Sequence, residues 1–522
     1  MRRHEGPCPR QTRIVATLGP AADGDYPKML EALCAAGVDV LRLNFSHADA
    51  DYAKESEILA WANRPVQANA APTAAVMADL QGPKMRIGML PPGGLNLVEG
   101  QPIRLVREET ATPPSQEGGL TVAIPEPVAS ALFAALRDWM RARPGEPPKV
   151  VFGDGDPVAQ VTRVEADEAY GIVCSGGMLG SHKGITVRGI DLDLEAFPEK
   201  DQRDLLFALQ KGVDYVALSF VRTAKDLERV RAFVAAHRPN APTLRLIAKI
   251  ETVSSIWAIE GILAASDGIM VARGALGLQL GVEEVPAAQK QLIAAARRAG
   301  KPCIVATQML ESMIQSPAPT RAEASDVFNA ILDGGDAVML SGETSVGHHP
   351  IEAVATMDRI VRKAEAWCNR PEVRQPRPGM HAIDAQDSDP VEHINAAFAS
   401  TAVQFAETLS ARAIVCSTRT GRTPERLSQH RPSPPILAYC ASEGIARELL
   451  MYYGVFPVLL AGFDPGQQRF AVMIDSARAF LRENYGLHRS DALVVTAGID
   501  WRRGGTNTLR VVIEDHDAAP RS

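Results

Sequence analysis

Eight short apolar runs, each ending in a polar cluster, limit what this 522-residue chain can fold into more than any other feature. Three lie early: Ile14 to Leu18, Val38 to Ser46 and Ala74 to Asp79. Five lie later: Tyr215 to Phe220, Leu244 to Glu251, Gly268 to Gly274, Cys303 to Gln308 and Ala337 to Thr344. Continuous apolar runs of this length read as strands buried on both faces. Helical patterns such as Pro286 to Arg298 and Arg321 to Leu332 separate them, which implies parallel βαβ units. Eight units are the count of a closed (β/α)8 TIM barrel, an α/β fold, with an open doubly wound sheet as the alternative. The strand ends carry Asn44, Ser46, Asp79, Lys249, Glu251, Arg273, Thr307, Ser341 and Glu343. In a barrel those ends converge on one face, where catalytic groups gather. Helix capping explains Ser, Thr, Asn and Asp at such positions equally well. It explains poorly why Lys, Arg and Glu end buried strands, because an ionised group there needs a partner.

Between the third and fourth runs the rhythm breaks for about 100 residues rich in Val, Gly and Pro, with a helical pattern only around Val128 to Ala142. Residues 88–185 are therefore expected to form a β-rich insertion placed over the catalytic face as a lid, with 1–87 and 186–370 forming the barrel. A polar stretch beginning at Arg374 then leads into a second α/β pattern, giving a C-terminal domain over 371–522. Its strands are expected at Ala413 to Thr418, Ile436 to Tyr439, Val455 to Leu459 and Ala492 to Ala497. A net charge of −7 excludes a broad nucleic-acid surface and requires anionic ligands to be met by local basic sites. Seven cysteines without a C-x-x-C pair fit neither a disulfide framework nor a zinc site, which points to a reducing cytoplasm. Neither a secretory leader nor an 18-residue apolar span is present in the sequence, so no membrane partner is expected.

Seven motifs in order resemble the signatures of pyruvate kinases: Arg42-Leu-Asn-Phe-Ser-His47, Asp79-Leu-Gln-Gly-Pro-Lys84, Ser181-His-Lys-Gly184, Ile247-Ala-Lys-Ile-Glu251, Met270-Val-Ala-Arg-Gly274, Ala306-Thr-Gln-Met-Leu-Glu-Ser312 and Met339-Leu-Ser-Gly-Glu-Thr344. The resemblance implies a glycolytic phosphotransferase acting on phosphoenolpyruvate and ADP, with pyruvate and ATP as products. It implies Mg²⁺ or Mn²⁺ as cofactor and a homotetramer as the assembly. Arg42 would hold the substrate phosphate, as its planar guanidinium suits a phosphoryl group. Lys249 would place positive charge over the transferring phosphoryl and the enolate oxygen. Glu251, on the same side of the strand, would bind the divalent metal. Arg273, Gly274 and position 275 would receive the substrate carboxylate on backbone N–H groups. Thr307, with Ser341 as a second member, would relay the proton to enolpyruvate. Asn44, His47, Asp154 and Lys183 would meet the nucleotide, the last two from the lid.

In the C-terminal domain, Ser417, Thr418, Arg419, Thr420, Gly421 and Thr423 combine hydroxyls, arginines and a glycine between a strand and a helix, as a phosphate cradle does. The segment resembles the family's effector loop, implying a phosphorylated allosteric ligand. Arg502, Arg503 and Gly504 to Thr508 resemble its second wall.

Two departures from the family pattern matter. Where it reads Arg-Gly-Asp-Leu-Gly, this chain reads Arg273-Gly-Ala-Leu-Gly277, so the second metal carboxylate is replaced by the methyl group of Ala275. Gln279 also stands where an acid is common. Loss of a carboxylate weakens a site for a hard divalent ion, which leaves an active kinase with altered metal demand or a catalytically weakened or non-catalytic paralogue. The second departure is Lys84. Potassium-dependent members bind the monovalent cation with groups matching Asn44, Ser46 and Asp79 beside a Glu, and here that Glu is Lys84. With Leu80 and Gln81, Lys84 resembles the potassium-independent branch, in which the ammonium replaces the ion. Turnover is accordingly expected to be unchanged when Na⁺ replaces K⁺ at constant ionic strength; a many-fold rise with K⁺ would overturn this reading.

Overall fold

The computed structural model describes all residues except 1–8, 23–24, 49–50, 68–69, 109–119, 239–243, 371, 374–389, 461–469, 485–486, 488–489, 498–507 and 514–522. Eight strands lie where the apolar runs do: β1 (Arg13–Leu18), β2 (Val40–Asn44), β3 (Ala75–Asp79), β4 (Tyr215–Leu218), β5 (Arg245–Ile250), β6 (Gly268–Ala272), β7 (Cys303–Ala306) and β8 (Ala337–Leu340). Each pairs in parallel with its sequence neighbours, and β8 returns to β1, so the sheet is a closed barrel and not an open one.

Side chains alternate along each strand, and this parity sorts the barrel into two cores. Ile14, Leu41, Val76, Val216, Leu246 and Val271 face outward and pack with the surrounding helices. Val15, Val40, Met77, Tyr215, Ile247, Met270, Ile304 and Met339 face inward. Helices on the outer ring start and stop on local signals. Arg321–Asp333 opens on a capping box of Thr320 and Glu323 and closes on Gly334 at φ 102.

After β3 the chain leaves the barrel. Six strands pair in the order Ile185–Val187, Lys149–Phe152, Val158–Val164, Glu168–Ser175, Pro102–Arg107 and Leu120–Ile124, and the helix Val128–Ala142 covers them. Phe133, Leu136, Phe152 and Val161 belong to a core of their own. The entering and returning chains run side by side, with Ile87 N–H donating to the Lys183 carbonyl and Ile185 N–H to that of Met85.

The C-terminal sheet carries four parallel strands, in the order Val455–Leu459, Ile436–Cys440, Ala413–Thr418 and Ala492–Ala497, and an antiparallel edge strand Thr508–Ile513 that the sequence reading did not separate. It closes the barrel floor: Ile414, Ile436, Leu449, Met451 and Tyr452 share one apolar cluster with the inward residues of the barrel. Ion pairs ring this contact at the amino ends of the strands. Arg245 meets Glu448 at 2.8 Å and Glu425 at 2.7 Å, Arg447 meets Asp214 at 2.9 Å, and Arg431 meets Asp336 at 2.8 Å. Among the described residues no helix is long and apolar enough to cross a membrane.

Removing one member of a largely buried charge network leaves the others unpaired, a cost of about 3 kcal/mol. Arg245→Ala is therefore expected to lower the melting temperature and to expose the floor, read as faster amide exchange over 436–459; unchanged melting would show that the network adds nothing to docking.

Candidate functional site

The inward parity of the strands carries past the apolar layers to a last, polar one. On β2 the series Val40, Arg42, Asn44 ends at the mouth, on β3 Ala75, Met77, Asp79, and on β5 Ile247, Lys249, Glu251. Four of these groups lock together. Arg42 donates from Nε to Asp79 at 2.7 Å and from its terminal nitrogen to the Thr17 hydroxyl at 2.9 Å. Lys249 Nζ lies 3.1 Å from Asp79, 3.2 Å from Glu251 and 2.7 Å from the Ser219 hydroxyl. Glu251 accepts the Phe220 N–H at 2.8 Å with its other oxygen. Burial would raise the Asp79 carboxyl, but Lys249 and Arg42 outweigh it and hold it below the ordinary carboxylate range. Burial likewise opposes the Lys249 ammonium, while Asp79 and Glu251 keep its pKa above the usual lysine value. Lys249 is therefore a fixed cation, not a base. Ser219 and Thr17 were not singled out in the sequence, although each stands on the inward parity of its strand.

A second group sits at the ends of β6 to β8. Helix Arg273–Leu280 begins directly on the last residue of β6. The guanidinium of Arg273, buried to 8% exposure, donates to the carbonyls of Thr307 at 2.7 Å and Gln308 at 3.0 Å and pairs with Asp326 at 2.6 Å. Its donors are thus spent on the protein. Thr307 and Gln308 have φ of 69° and 53°, a left-handed pair of non-glycine residues costing about 1–3 kcal/mol each. Charge-assisted hydrogen bonds of about 1.5–3 kcal/mol each offset that strain. The Thr307 hydroxyl accepts the Gly274 N–H at 2.7 Å. Ser341 Oγ is buried without a hydrogen-bond partner among the described residues, and its backbone N–H donates to Glu343 at 2.7 Å.

One cleft of about 440 Å³ between barrel and lid brings together Arg42, Asn44, Ser46, Lys84, Asp154, Lys183, Lys249, Glu251 and Ala275. Arg273, Gly274 and Gln308 line a larger neighbouring cleft of about 1140 Å³ on the other side of helix Arg273–Leu280. His47 is exposed, ends the short turn Phe45–His47, and lines neither cleft. Asn44 uses its side chain to accept the Ser46 N–H at 3.2 Å. Asp79 lies beneath the cleft and pairs with Arg42 and Lys249, whereas Lys84 is exposed on the cleft wall. On its way to the lid the chain passes Gly82 at φ 70°, where an added Cβ would meet Ser219 and Phe220 at 2.9 Å. Asp201, its pKa pushed up to about 6 by burial, accepts the N–H groups of Gln81 and Gly82 and holds that turn. No local pattern in the sequence pointed to Asp201.

In the C-terminal domain Ser417 and Thr418 end a strand, and Gly421, at φ 84°, precedes the helix Arg422–Gln429. The Thr418 hydroxyl accepts the Gly421 N–H at 2.8 Å. Arg419, Thr420 and Thr423 occupy the same turn and helix start, while Arg502, Arg503 and residues 504–507 lie outside the described residues.

The donors do not assemble a site for a resident hard divalent ion. Among the described residues no group of three or more His, Cys, Asp or Glu side chains is arranged to hold a metal. Glu251 shares its oxygens with an ammonium and a backbone N–H, and Ala275 offers a methyl.

A closed parallel barrel with ionised groups at its carboxyl-end mouth, roofed by a lid that carries Lys183 and Asp154, defines a lidded TIM-barrel enzyme. The family model "Pyruvate kinase, barrel domain" matches residues 9–354, and "Pyruvate kinase, alpha/beta domain" matches 396–512. A pyruvate kinase of Agrobacterium vitis is 40% identical over 506 residues, covering 96% of each chain. Pyruvate kinase 2 of Synechocystis sp. is 38% identical over 517 residues, covering 97% of this chain and 80% of that one. The crystal structure of a pyruvate kinase from Cryptosporidium parvum superimposes with a TM-score of 0.82 at 32% identity, covering 97% of this chain and 96% of that one. The chain belongs to the pyruvate kinase family of phosphotransferases.

Arg273→Ala is expected to cost about 3 kcal/mol in urea unfolding, because Asp326 loses its partner and the strained pair its clamp. Amide exchange at 307–309 should rise together with the loss of turnover; intact protection there would show that Arg273 does not hold this turn.

Proposed function

We propose that this chain transfers the phosphoryl group of phosphoenolpyruvate to ADP, giving pyruvate and ATP. The observation that carries this reading is the Lys249 ammonium, kept charged by Asp79 and Glu251 beside Arg42 and facing the lid lysine Lys183 across one cleft. Transfer breaks the bond between phosphorus and the enol oxygen and forms one to the terminal oxygen of ADP. Negative charge moves between those oxygens, and a fixed cation over them stabilises the transition state more than the ground state.

In this reading Arg42 takes the substrate phosphate, Lys249 covers the phosphoryl and the enolate oxygen, and the Ala275 N–H at the helix start meets the carboxylate, the Gly274 N–H being held by the Thr307 hydroxyl. Arg273 positions Thr307 instead of touching substrate. Thr307, with the unpartnered hydroxyl of Ser341, passes a proton to the enolate carbon. Asn44, Asp154 and Lys183 serve the nucleotide. Residues 1–87 with 186–370 act as the catalytic barrel, 88–185 as the lid and 371–522 as a regulatory unit whose loop 417–423 takes a phosphorylated effector. The family uses a divalent metal; of the two carboxylates lining the cleft, Asp154 and Glu251, Glu251 on the barrel wall is the one to which Mg²⁺ or Mn²⁺ would bind. Lys84 would stand in for K⁺ beside Asn44 and Ser46. A homotetramer in the cytoplasm completes the reading.

Ala275 favours one second reading, a paralogue that binds substrate or effector without turnover. Pyruvate formation from phosphoenolpyruvate and ADP decides between them. Lys249→Met should lower kcat by about a thousandfold, with folding verified by circular dichroism. Absence of pyruvate from the unaltered chain under every divalent ion would sink the transfer reading.

A further inference from the structure

The cleft between barrel and lid has an unusual charge balance for a metal-assisted site. Its wall carries five cationic side chains, Arg42, Lys84, Arg86, Lys183 and Lys249, against two carboxylates, Asp154 and Glu251. Arg42 and Lys249 are partly neutralised from below by Asp79. The side chains of Lys84 and Lys183 have no hydrogen bond or ion pair among the described residues, so their ammonium groups are available to a ligand. On the opposing helix, Ala275 and Gln279 are one turn apart and reach the same cleft without charge. Gln279 is 6% exposed and its amide oxygen has no hydrogen-bond partner among the described residues. The positions from which a cation would be attracted are thus a methyl and a neutral amide. The one near carboxylate, Glu251, already faces an ammonium at 3.2 Å.

A free divalent cation approaching this wall meets net repulsion, while a small anion bearing phosphate and carboxylate groups meets net attraction. We infer that the cleft binds its phosphorylated carboxylate substrate on lysine and arginine charge alone, without a resident divalent ion. The inference rests on the phosphoenolpyruvate reading for the identity of the anion and goes beyond it in the means of binding. Lys84 contributes directly, because among the described residues its ammonium on the wall is paired with no carboxylate.

The test is calorimetric titration of the full chain with phosphoenolpyruvate, in excess EDTA and again in excess Mg²⁺. The dissociation constant is expected to agree within about threefold between the two buffers, and Lys84→Glu to weaken binding about tenfold in both. Electron paramagnetic resonance of Mn²⁺ supplies a second readout: Ala275→Asp should bind Mn²⁺ at least about tenfold more tightly than the unaltered chain when no substrate is present. Binding that appears only with Mg²⁺, or equal Mn²⁺ affinity in both proteins, overturns the inference while leaving phosphoryl transfer intact. Binding in EDTA without pyruvate formation under any ion overturns the transfer reading and leaves this inference standing. Absence of binding in both buffers overturns both.

Discussion

Ionised groups at the last inward layer of a closed barrel are tolerable only as a mutually paired set. Arg42, Asp79, Lys249 and Glu251 form such a set, with Asp79 1% exposed and in contact with both cations. Moving one such ion out of water costs several kcal/mol, so none of the four can sit there alone. The requirement fixes strand register, because shifting β2, β3 or β5 by one residue would turn its charged member into the apolar outer layer. It also fixes chemistry, since a lysine bracketed by two carboxylates stays charged and is directional. Ser219 and Thr17 complete the set by holding Lys249 and Arg42 with hydroxyls that are themselves anchored to the carbonyls of Leu80 and Leu340.

The second half of the site obeys a different constraint. Thr307 and Gln308 lie in a backbone region that β-branched and bulky residues avoid, and three donors from Arg273 hold them in it. The guanidinium acts as a brace from the helix to the turn. Helix Arg273–Leu280 also touches the chain returning from the lid, with the Gly189 N–H donating to the Gln279 carbonyl at 2.9 Å. One helix therefore divides the two clefts, braces the turn at β7 and supports the lid's return path.

What the sequence disclosed follows from the kind of signal each feature leaves. Parallel strands buried on both faces are continuous apolar runs, so all eight barrel strands and their closing polar residues were legible. The helix Val128–Ala142 and the segment Arg321–Asp333 were legible from their helical patterns. The edge strand Thr508–Ile513 was not, since it is partly exposed and follows residues with no clear pattern. The inward parity that brings Ser219 to Lys249 could have been counted two residues beyond Ala217. The occupation of Arg273 by the Thr307 turn, the exclusion of His47 from the clefts and the anchoring of Gly82 by Asp201 are tertiary facts, set by residues more than 30 positions away in two of these cases. Local spacing holds no trace of such pairings.

β5 has six residues, every one within a ladder paired to β4 or β6 or adjoining it. Its foot is Arg245, gripped by Glu425 from the helix that follows the 417–423 loop, and its head delivers Lys249 and Glu251. A strand of this kind does not stretch, since each residue already spans close to its full rise of about 3.3 Å. The C-terminal domain and the Lys249 ammonium thus meet the two ends of one rigid rod, and displacing either relative to the other means breaking sheet hydrogen bonds or sliding the rod as a whole.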